Sequence, residues 1–231
     1  MKPAAMLPTY NEAGNIREIT TAILAAHPEI QVVIVDDNSP DGTGRIADDL
    51  AKETGRVHPI HRYERRGRGY AGAEGFRFCV EKGFDPIIEM DADFSHDPAY
   101  IPQMIAESSD WDIVIGSRTV AGGGEEGRSL GRKIITAMAA FYLRVMTGTK
   151  LKDPTSGYRC FRHRVMAEIH PETLASPGPA IVTEVNYRCR KYRIKEIPIR
   201  FRDRLHGASK FSFKAMKESL LTAARLRFRG R

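Results

Sequence analysis

Two pairs of acidic residues lie directly after apolar runs of the sequence. Asp91 and Asp93 follow PIIEM, and Asp36 and Asp37 follow VVIV. In extended backbone, side chains two positions apart point the same way, so Asp91 and Asp93 can face one point. Two carboxylates at one point repel each other unless a cation lies between them, and oxygen ligands suit Mg²⁺ or Mn²⁺. The spacing therefore predicts a metal site that clamps a diphosphate, with Asp91 and Asp93 as ligands.

The same residues allow other interpretations. DADFS matches the DxDx(S/T) motif of aspartyl-phosphate phosphatases, in which Asp91 would be the nucleophile, although that motif normally ends the first strand. The pair Asp36 and Asp37 could simply cap the turn that follows. The segment from Gly67 to Gly72 is a literal GxGxxG, but it follows the third predicted strand and not the first. We interpret it as a tight turn into a helix and not as a dinucleotide site.

The order of apolar runs and helical patterns indicates how these acids are positioned. Apolar runs predict strands at residues 4–7, 31–37, 57–61, 86–91 and 112–118. Helical patterns follow the first four, beginning near residues 16, 45, 69 and 98. This alternation predicts an α/β fold with a mostly parallel, doubly wound sheet. Ligands of such sheets bind at the carboxyl ends of the strands, where both acid pairs would lie.

After Arg118 the pattern is less regular. VAGGGEEG is interpreted as a flexible loop, DPTSGYRCF as turn-rich and IKEIPIRFRD as a strand. Helices are predicted over residues 131–147, 181–192 and 213–228, and the last of these is amphipathic. The longest apolar stretch, residues 134–143, is shorter than the ~20 residues that a membrane span needs.

Composition and charge restrict the class of protein. The chain has 231 residues, 42% of them hydrophobic, which suits one large α/β domain. Residues 195–231 hold 11 Lys and Arg against 3 Asp and Glu, a net charge of +8, whereas the first 194 residues sum to −1. The basic end indicates an anionic surface or substrate, and no aromatic platform accompanies it that would favour nucleic acid. Cys79, Cys160 and Cys189 lack metal-ligand spacing and are typical of reduced cysteines in a cytosolic protein.

Seven motifs then occur together in one order. They are LPTYNE at 7–12, VDDNSPDGT at 35–43, MDADFSHDP at 90–98, GSR at 116–118, GRK at 131–133, DPTSGYR at 153–159 and DRLHGASK at 203–210. With them the sequence resembles, over nearly its whole length, the dolichol-phosphate mannosyltransferase (polyprenol-phosphate mannose synthase) branch of the inverting family 2 glycosyltransferases. The resemblance implies a GT-A (nucleotide-diphospho-sugar transferase) fold. Residues 1–210 would be the catalytic domain, and residues 211–231 a basic amphipathic helix at a membrane interface.

The resemblance also implies a reaction. Mannose would pass from GDP-mannose to a polyprenyl (dolichyl) phosphate with inversion, giving the lipid-linked mannose and GDP, with Mg²⁺ or Mn²⁺ as cofactor. The chain would be cytoplasmic and peripheral on the cytoplasmic face of a membrane. Whether it also binds a small membrane-anchoring subunit is left open. Three alternatives also stay open: transfer of glucose or another sugar to the same lipid, a Mg²⁺-dependent phosphatase, and a membrane-binding module without activity.

Residue roles follow from matching the motifs. Asp91, Asp93 and Arg118 would be the catalytic residues. The donor would be bound by Pro8, Tyr10, Glu12, Val35, Asp37, Asp91, Ala92, Asp93, Arg118, Arg204 and Lys210. The acceptor phosphate would meet Arg118, Arg132 and Lys133. Glu184 would orient the sugar hydroxyls, with an ordinary helix-surface role as the alternative, and Ser95 is not expected to add a third metal ligand.

Overall fold

The computed structural model describes residues 2–125, 130–201 and 213–229. Its strands are β1 (Ala4–Thr9), β2 (Gln31–Asp36), β3 (Val57–His61), β4 (Ile87–Glu89), β5 (Ile113–Ser117), β6 (Gly124–Glu125), β7 (Arg159–Phe161), β8 (Ile194–Pro198) and β9 (Arg200–Phe201). Its α-helices are α1 (Ile16–Ala26), α2 (Thr43–Thr54), α3 (Arg68–Glu81), α4 (Ile101–Glu107), α5 (Leu130–Thr147), α6 (His163–Ile169), α7 (Ile181–Arg188) and α8 (Phe213–Arg229).

The main sheet has seven strands in the order β3-β2-β1-β4-β7-β5-β8. Every pairing in it is parallel except those of β7, which lies antiparallel between β4 and β5. Strands β6 and β9 form a separate parallel pair. The predicted α/β fold with a mostly parallel sheet is confirmed.

The β-branched run of β2 shows why the sheet is covered on both faces. Val33 and Val35 pack in one apolar core, and Val32 and Ile34 pack in a second core on the opposite face. Helices α3 and α7 contribute Phe76, Cys79, Ile181 and Val185 to the first core, and helices α1, α2 and α4 contribute Ile19, Ile23, Ala47 and Met104 to the second. A strand buried on both faces carries a continuous apolar run, as this one does.

Four expectations for the second half are corrected by the structure. The turn-rich DPTSGYRCF contains β7, and the loop VAGGGEEG contains β6. Both strands are too short, at 3 and 2 residues, to produce a periodic pattern of apolar side chains. Helix α7 ends at Arg188 and continues only as a short 3₁₀ turn, and α6 was not predicted.

Strand β4 ends at Glu89, so Asp91 and Asp93 lie in the loop that follows it. The extended geometry inferred from the sequence therefore does not apply to these two residues. Strand β2 ends at Asp36, and Asp37 is the first residue beyond it. Both acid pairs still lie at the carboxyl edge of the sheet, as predicted.

Helix α8 packs against α5 and α7. Its Ala223 is fully buried, and the Tyr142 hydroxyl of α5 donates to the Leu220 carbonyl at 3.4 Å. Nowhere in the described ranges is a helix both long and apolar enough to cross a bilayer.

Candidate active site

A cleft of about 360 Å³ opens at the carboxyl ends of β1, β2 and β4. The beginning of α3 forms its remaining wall. The cleft is lined by Pro8, Thr9, Tyr10, Glu12, Asp37, Arg66, Gly67, Arg68, Ala71, Asp91, Ala92 and Asp93. Seven of the residues predicted to bind the donor are thereby brought together: Pro8, Tyr10, Glu12, Asp37, Asp91, Ala92 and Asp93.

The loop after β1 is fixed by the loop after β2. Asp41 accepts hydrogen bonds from the backbone N–H of Ala13 at 3.0 Å and from the Thr43 hydroxyl at 2.6 Å. The same Thr43 hydroxyl accepts from the Glu12 N–H at 2.9 Å. Burial alone would raise the pKa of Asp41, but the bonds from Thr43 and Ala13 lower it, so the carboxylate is held ionised. These contacts place Glu12 on the cleft.

The two acids after VVIV have different partners. Asp36 accepts from the backbone N–H of Ser39 at 3.1 Å and caps the turn, as the alternative interpretation predicted. Asp37 is buried, and its two oxygens accept from the Arg62 guanidinium and from the Gly67 N–H. Asp37 thus ties the end of β2 to the residue before α3, while it also lines the cleft.

The glycines of the GxGxxG segment allow another loop to approach closely. A methyl group at Gly69 would lie 1.9 Å from the Ser176 carbonyl oxygen, and one at Gly67 would lie 2.3 Å from the Pro177 carbonyl oxygen. The Gly69 N–H donates to the Pro177 carbonyl at 2.9 Å. The segment leads into a helix as predicted, but only Gly67 precedes α3 and residues 68–72 are already helical, so the predicted tight turn is corrected. Packing explains the glycines.

Glu184 holds the loop that packs on these glycines. Its carboxylate accepts from the Ser176 N–H at 3.0 Å and the Ser176 hydroxyl at 2.7 Å, and pairs with Arg188 at 2.7 Å. Glu184 is buried, so the helix-surface alternative is wrong. Its contact with the cleft is indirect, through the loop and the start of α3. Its predicted role with the sugar stays a prediction.

The acidic loop after β4 has its own internal hydrogen bonds. Asp93 accepts from the N–H and the hydroxyl of Ser95, at 3.1 and 2.6 Å. The Asp91 N–H donates to Nδ1 of His96 at 2.9 Å, so this nitrogen carries no proton and the ring is neutral. Burial lowers the pKa of His96, and the nearby Asp91 and Asp93 only partly offset it. Phe94 has a φ of 62°, a left-handed conformation that bulky residues rarely adopt.

His96 is itself held in place by packing. Its ring stacks on that of Tyr158, with centroids 5.0 Å apart, and meets the edge of Phe201 at 5.7 Å. Tyr158 in turn donates to the Asp97 carbonyl at 3.0 Å. The rings of Tyr158 and Phe201 therefore hold His96, and through it the loop that carries both acids.

The donor set of this loop fits a hard divalent cation. Asp91 and Asp93 offer carboxylate oxygens to the cleft, and no group of three or more His, Cys, Asp or Glu able to hold a metal occurs among the described residues. Mg²⁺ usually binds one or two protein carboxylates and completes its shell with water and substrate phosphates. The Ser95 hydroxyl donates to Asp93, and the expectation that it adds no third ligand stays a prediction.

A buried ionic network behind the acids was not predicted. Glu89 and Arg159 are both fully buried, and Arg159 Nε donates to Glu89 Oε2 at 2.9 Å. The other oxygen of Glu89 lies 3.4 Å from Arg68 Nη1, and Arg68 Nη2 donates to Asp91 at 2.8 Å. The sequence marked Asp91, but no pattern indicated that Arg68 would pair with it or that Glu89 would pair with Arg159.

Arg118 lies beside the cleft and is not part of its lining. Its Nε and Nη2 donate to the two oxygens of Asp153, each at 2.7 Å, and Nη2 also donates to Thr155 at 2.6 Å. Nη1 pairs with Glu125 at 3.1 Å. Burial alone would lower the pKa of Arg118, but these partners, Asp153 first and more distantly Asp91, raise it. Its contact with phosphate stays a prediction.

Residues of the motif DPTSGYR therefore hold other residues of the site in place. Asp153 and Thr155 hold Arg118, and the Ser156 hydroxyl donates to the Gly116 carbonyl at 2.6 Å. Tyr158 supports His96, and Arg159 neutralises Glu89. The motif connects the end of β5 to the acidic loop after β4.

The remaining predicted residues are placed as follows. Val35 is fully buried in β2, where its side chain packs in the core and does not line the cleft. Arg204 and Lys210 lie outside the described residues. Arg132 and Lys133 fall in the first turn of α5, but their side chains also lie outside the described part of the chain.

The sheet order and the acidic cleft at the carboxyl edge define a GT-A-like α/β fold of the nucleotide-sugar transferase class. The chain belongs to Glycosyl transferase family 2, whose model matches residues 5–169. This membership is at odds with the phosphatase interpretation of DADFS.

Three relatives are similar over nearly the whole chain. Undecaprenyl-phosphate mannosyltransferase of Micrococcus luteus is 37% identical over 97% of this chain and 93% of that protein. Polyprenol monophosphomannose synthase of Mycolicibacterium smegmatis is 35% identical over 98% of this chain and 87% of that protein. Dolichol-phosphate mannosyltransferase of Pyrococcus furiosus is 33% identical over 98% of this chain and 64% of that protein.

Solved structures share the fold at lower identity. Glucosyl-3-phosphoglycerate synthase from Mycobacterium tuberculosis in complex with Mn²⁺, UDP and phosphoglyceric acid superposes with a TM-score of 0.70. The identity is 16%, over 98% of this chain and 78% of that one. The same enzyme with Mn²⁺, UDP and glucosyl-3-phosphoglycerate gives a TM-score of 0.67, at 16% identity over 98% of this chain and 79% of that one.

Proposed function

We propose that this chain transfers mannose from GDP-mannose to a polyprenyl phosphate. The observation that carries the proposal is that Asp91 and Asp93 meet the basic beginning of α3 in one cleft at the carboxyl edge of the sheet. Relatives named for mannosyl transfer to polyprenyl phosphates, at 33–37% identity, support the choice of sugar and acceptor.

The cleft suggests how the donor is bound. Tyr10 is 39% exposed at the mouth, where its ring can stack on the base. Glu12 and Asp37 offer carboxylate oxygens to the hydroxyls of the nucleoside. The diphosphate then lies between the acidic loop and the first turn of α3, where the cationic side chains of Arg66 and Arg68 line the cleft and favour an anion.

The reaction displaces a diphosphate. An oxygen of the acceptor phosphate bonds to the anomeric carbon of mannose while the bond from that carbon to the diphosphate oxygen breaks, which inverts the configuration. Asp91 and Asp93 would hold Mg²⁺ or Mn²⁺, which when bound supplies positive charge to the leaving diphosphate. The acceptor phosphate is already ionised near neutral pH. The site therefore needs to position this phosphate more than to deprotonate it.

Cationic side chains would complete the site. Arg118 is held beside the cleft by Asp153, and it would meet the acceptor phosphate by exchanging one of its carboxylate partners for that anion. Arg132 and Lys133 would meet the same phosphate, and Arg204 and Lys210 would neutralise the donor diphosphate. These four assignments rest on the motifs GRK and DRLHGASK.

An apolar face on α5 suggests how the chain reaches its lipid substrate. Met138, Phe141 and Val145 are 68%, 63% and 53% exposed, and Ile134 extends the same stripe at helical spacing. Neighbouring α8 exposes Phe228 together with basic residues. Apolar side chains flanked by Lys and Arg suit the surface of an anionic bilayer. We infer that the chain lies on such a surface with α5 and α8 against it.

One panel of substrates tests the proposed reaction. The purified chain is incubated with a short polyprenyl phosphate and with GDP-mannose, GDP-glucose or UDP-glucose, in Mg²⁺, Mn²⁺ or EDTA. We expect a lipid-linked sugar and GDP in equal amounts from GDP-mannose only, and none in EDTA. A product from a glucose donor alone would establish the other sugar transferase.

Variants locate the reaction in the cleft. Asp93→Ala should abolish transfer without unfolding the chain, whereas Asp110→Ala, which changes an exposed acid in the turn after α4, should leave transfer unchanged. Phosphate release from simple phosphomonoesters, blocked by Asp91→Ala, would instead restore the phosphatase interpretation.

The membrane contact is tested with vesicles that contain phosphatidylglycerol. The double change Met138→Ser and Phe141→Ser should reduce co-sedimentation at least tenfold, because it removes most of the exposed stripe of α5. Tyr63→Ser is the control, since Tyr63 is 72% exposed on the loop after β3. Equal binding by all three proteins would exclude α5 as the contact.

A further inference from the structure

Arg68 brings a positive charge onto one of the two acids that the proposed function assigns to the metal. It is the first residue of α3, and it lines the cleft. Its Nη2 donates to Asp91 Oδ1 at 2.8 Å, and its Nη1 lies 3.4 Å from Glu89 Oε1. A divalent cation at Asp91 must therefore share or displace this guanidinium.

The environment of Arg68 is built from rigid parts. Glu89 is fully buried, and its other oxygen is taken by Arg159, so Arg68 is anchored against a fixed carboxylate. A methyl group at Gly157 would lie 3.2 Å from Arg68 Nη2, so the missing side chain there leaves room for the guanidinium. Burial alone would lower the pKa of Arg68, but the charges of Asp91 and then Glu89 raise it, so it is always a cation.

A cation in this position has two possible partners. In the absence of a nucleotide, its partner is Asp91, and its charge repels a divalent cation approaching the same carboxylate. When a donor diphosphate enters beside the first turn of α3, its oxygens offer Arg68 a second anion within reach of the same side chain. Leaving Asp91 would remove this positive charge from the carboxylate that is to bind the metal.

We propose that Arg68 is an internal counter-ion of Asp91 that couples metal binding to donor binding. It competes with the divalent cation while no nucleotide is present, and it turns to the diphosphate once the donor binds. The inference rests on the proposed function, since it takes Asp91 and Asp93 as the metal ligands. The inference goes beyond the proposed function because it assigns to Arg68 the weak binding of metal in the absence of a nucleotide.

The test is a binding measurement that needs no turnover. Free Mn²⁺ is followed by electron paramagnetic resonance, and the dissociation constant for Mn²⁺ is measured with and without saturating GDP. For Arg68→Gln we expect about tenfold tighter Mn²⁺ binding without GDP and little change with GDP. The gain in Mn²⁺ affinity caused by GDP should therefore fall about tenfold, and by linkage so should the gain in GDP affinity caused by Mn²⁺.

Three further variants control the measurement. Arg77→Gln removes the same charge from the same helix, where Arg77 pairs with Glu74 and Glu81, and should bind Mn²⁺ like the wild type. Arg68→Lys keeps the charge and should stay within about threefold of the wild type. Gly157→Ala places a methyl group 3.2 Å from Nη2, so the guanidinium must shift. We expect this to weaken its bond to Asp91 and tighten Mn²⁺ binding in the same direction as Arg68→Gln, which provides a second route if that variant is unstable.

The outcomes separate this inference from the proposed function. Unchanged or weaker Mn²⁺ binding by Arg68→Gln and Gly157→Ala, with normal binding by the wild type in GDP, would overturn the coupling alone. An equal gain in Arg77→Gln would also overturn it, because the effect would then be net charge. If the wild type binds no Mn²⁺ even with GDP, the metal site of the proposed function fails and the coupling fails with it.

Discussion

The Arg159 side chain of β7 lies against Glu89 of β4, and neither side chain has any exposed surface. The two strands run antiparallel, and Arg159 and Glu89 are direct partners in the register. A buried charge is stable only when it is paired and hydrogen-bonded, and Arg159 also contacts the side-chain oxygen of Asn186 at 3.3 Å. Strand β7, which pairs antiparallel with β4, therefore brings Arg159 to Glu89, so that this acid can be buried behind the cleft.

Removing one partner of this pair should be costly. Arg159→Met should lower the free energy of unfolding by about 3–5 kcal/mol, because it leaves Glu89 buried with only the longer contact to Arg68. Urea denaturation followed by circular dichroism measures the loss. The double variant Glu89→Leu with Arg159→Met should recover much of it, since no buried charge is then unpaired. A loss below about 1 kcal/mol for the single variant would show that the pair is dispensable.

The glycine at the second position of α3 should not tolerate a methyl group. Gly69→Ala places that methyl 1.9 Å from the Ser176 carbonyl oxygen, so the loop or the helix must move. We expect a loss of about 1–3 kcal/mol of stability and weaker GDP binding, because the start of α3 lines the cleft. Thermal melts and GDP titration measure both effects.

Gly14→Ala is the matched control. A methyl group there has nothing within 4 Å, so the substitution should change stability by less than about 1 kcal/mol. If both variants behave alike, close approach of the loop at residues 176–178 does not explain the glycine at position 69.

Much of the sheet could be predicted because its strands have distinct patterns. The β-branched run at 31–36 and the segment 57–61 fall within a residue of the predicted strands, and the helices that follow them were placed correctly. Strand β7 could not be predicted, since three residues carry no period. Its place between β4 and β5 depends on long-range pairing, which local patterns do not encode.

The site was predictable where a residue lies at the end of a strand. Asp37, Asp91 and Asp93 reach the cleft because β2 and β4 end just before them. Arg68 and Arg159 could not be assigned from the sequence, because their partners are 21 and 70 residues away in the chain. Val35 shows the converse: a motif residue whose side chain faces the core.

The ion pair between Asp153 and Arg118 should give stability that depends on pH. Burial alone would raise the pKa of Asp153, but the hydrogen bond and charge of Arg118 lower it below the unfolded value of 3.8. A lowered folded pKa means that this stabilisation is complete above about pH 3.8 and is lost as the pH falls through the folded pKa. Asp153→Asn should therefore cost about 3 kcal/mol at pH 7, and less as the solution becomes more acidic than pH 3.8.

Urea denaturation at pH 7, 5, 4 and 3 measures this difference for the wild type and the variant. Asp110→Asn is the control, because Asp110 is exposed and should change stability by no more than about 0.5 kcal/mol at each pH. A difference between wild type and Asp153→Asn that stays constant down to pH 3 would contradict a lowered pKa at Asp153.

Glu184 offers a choice between two roles that kinetics can separate. Its carboxylate holds Ser176, and the neighbouring Pro177 carbonyl accepts from the Gly69 N–H at 2.9 Å. If Glu184 acts through this loop, Glu184→Ala should lower stability by about 1–3 kcal/mol and raise KM for GDP-mannose, with kcat little changed. Glu184→Gln should recover part of the stability and part of the wild-type KM, since an amide oxygen can still accept from Ser176. A fall in kcat alone, at unchanged stability, would instead assign Glu184 to the sugar itself.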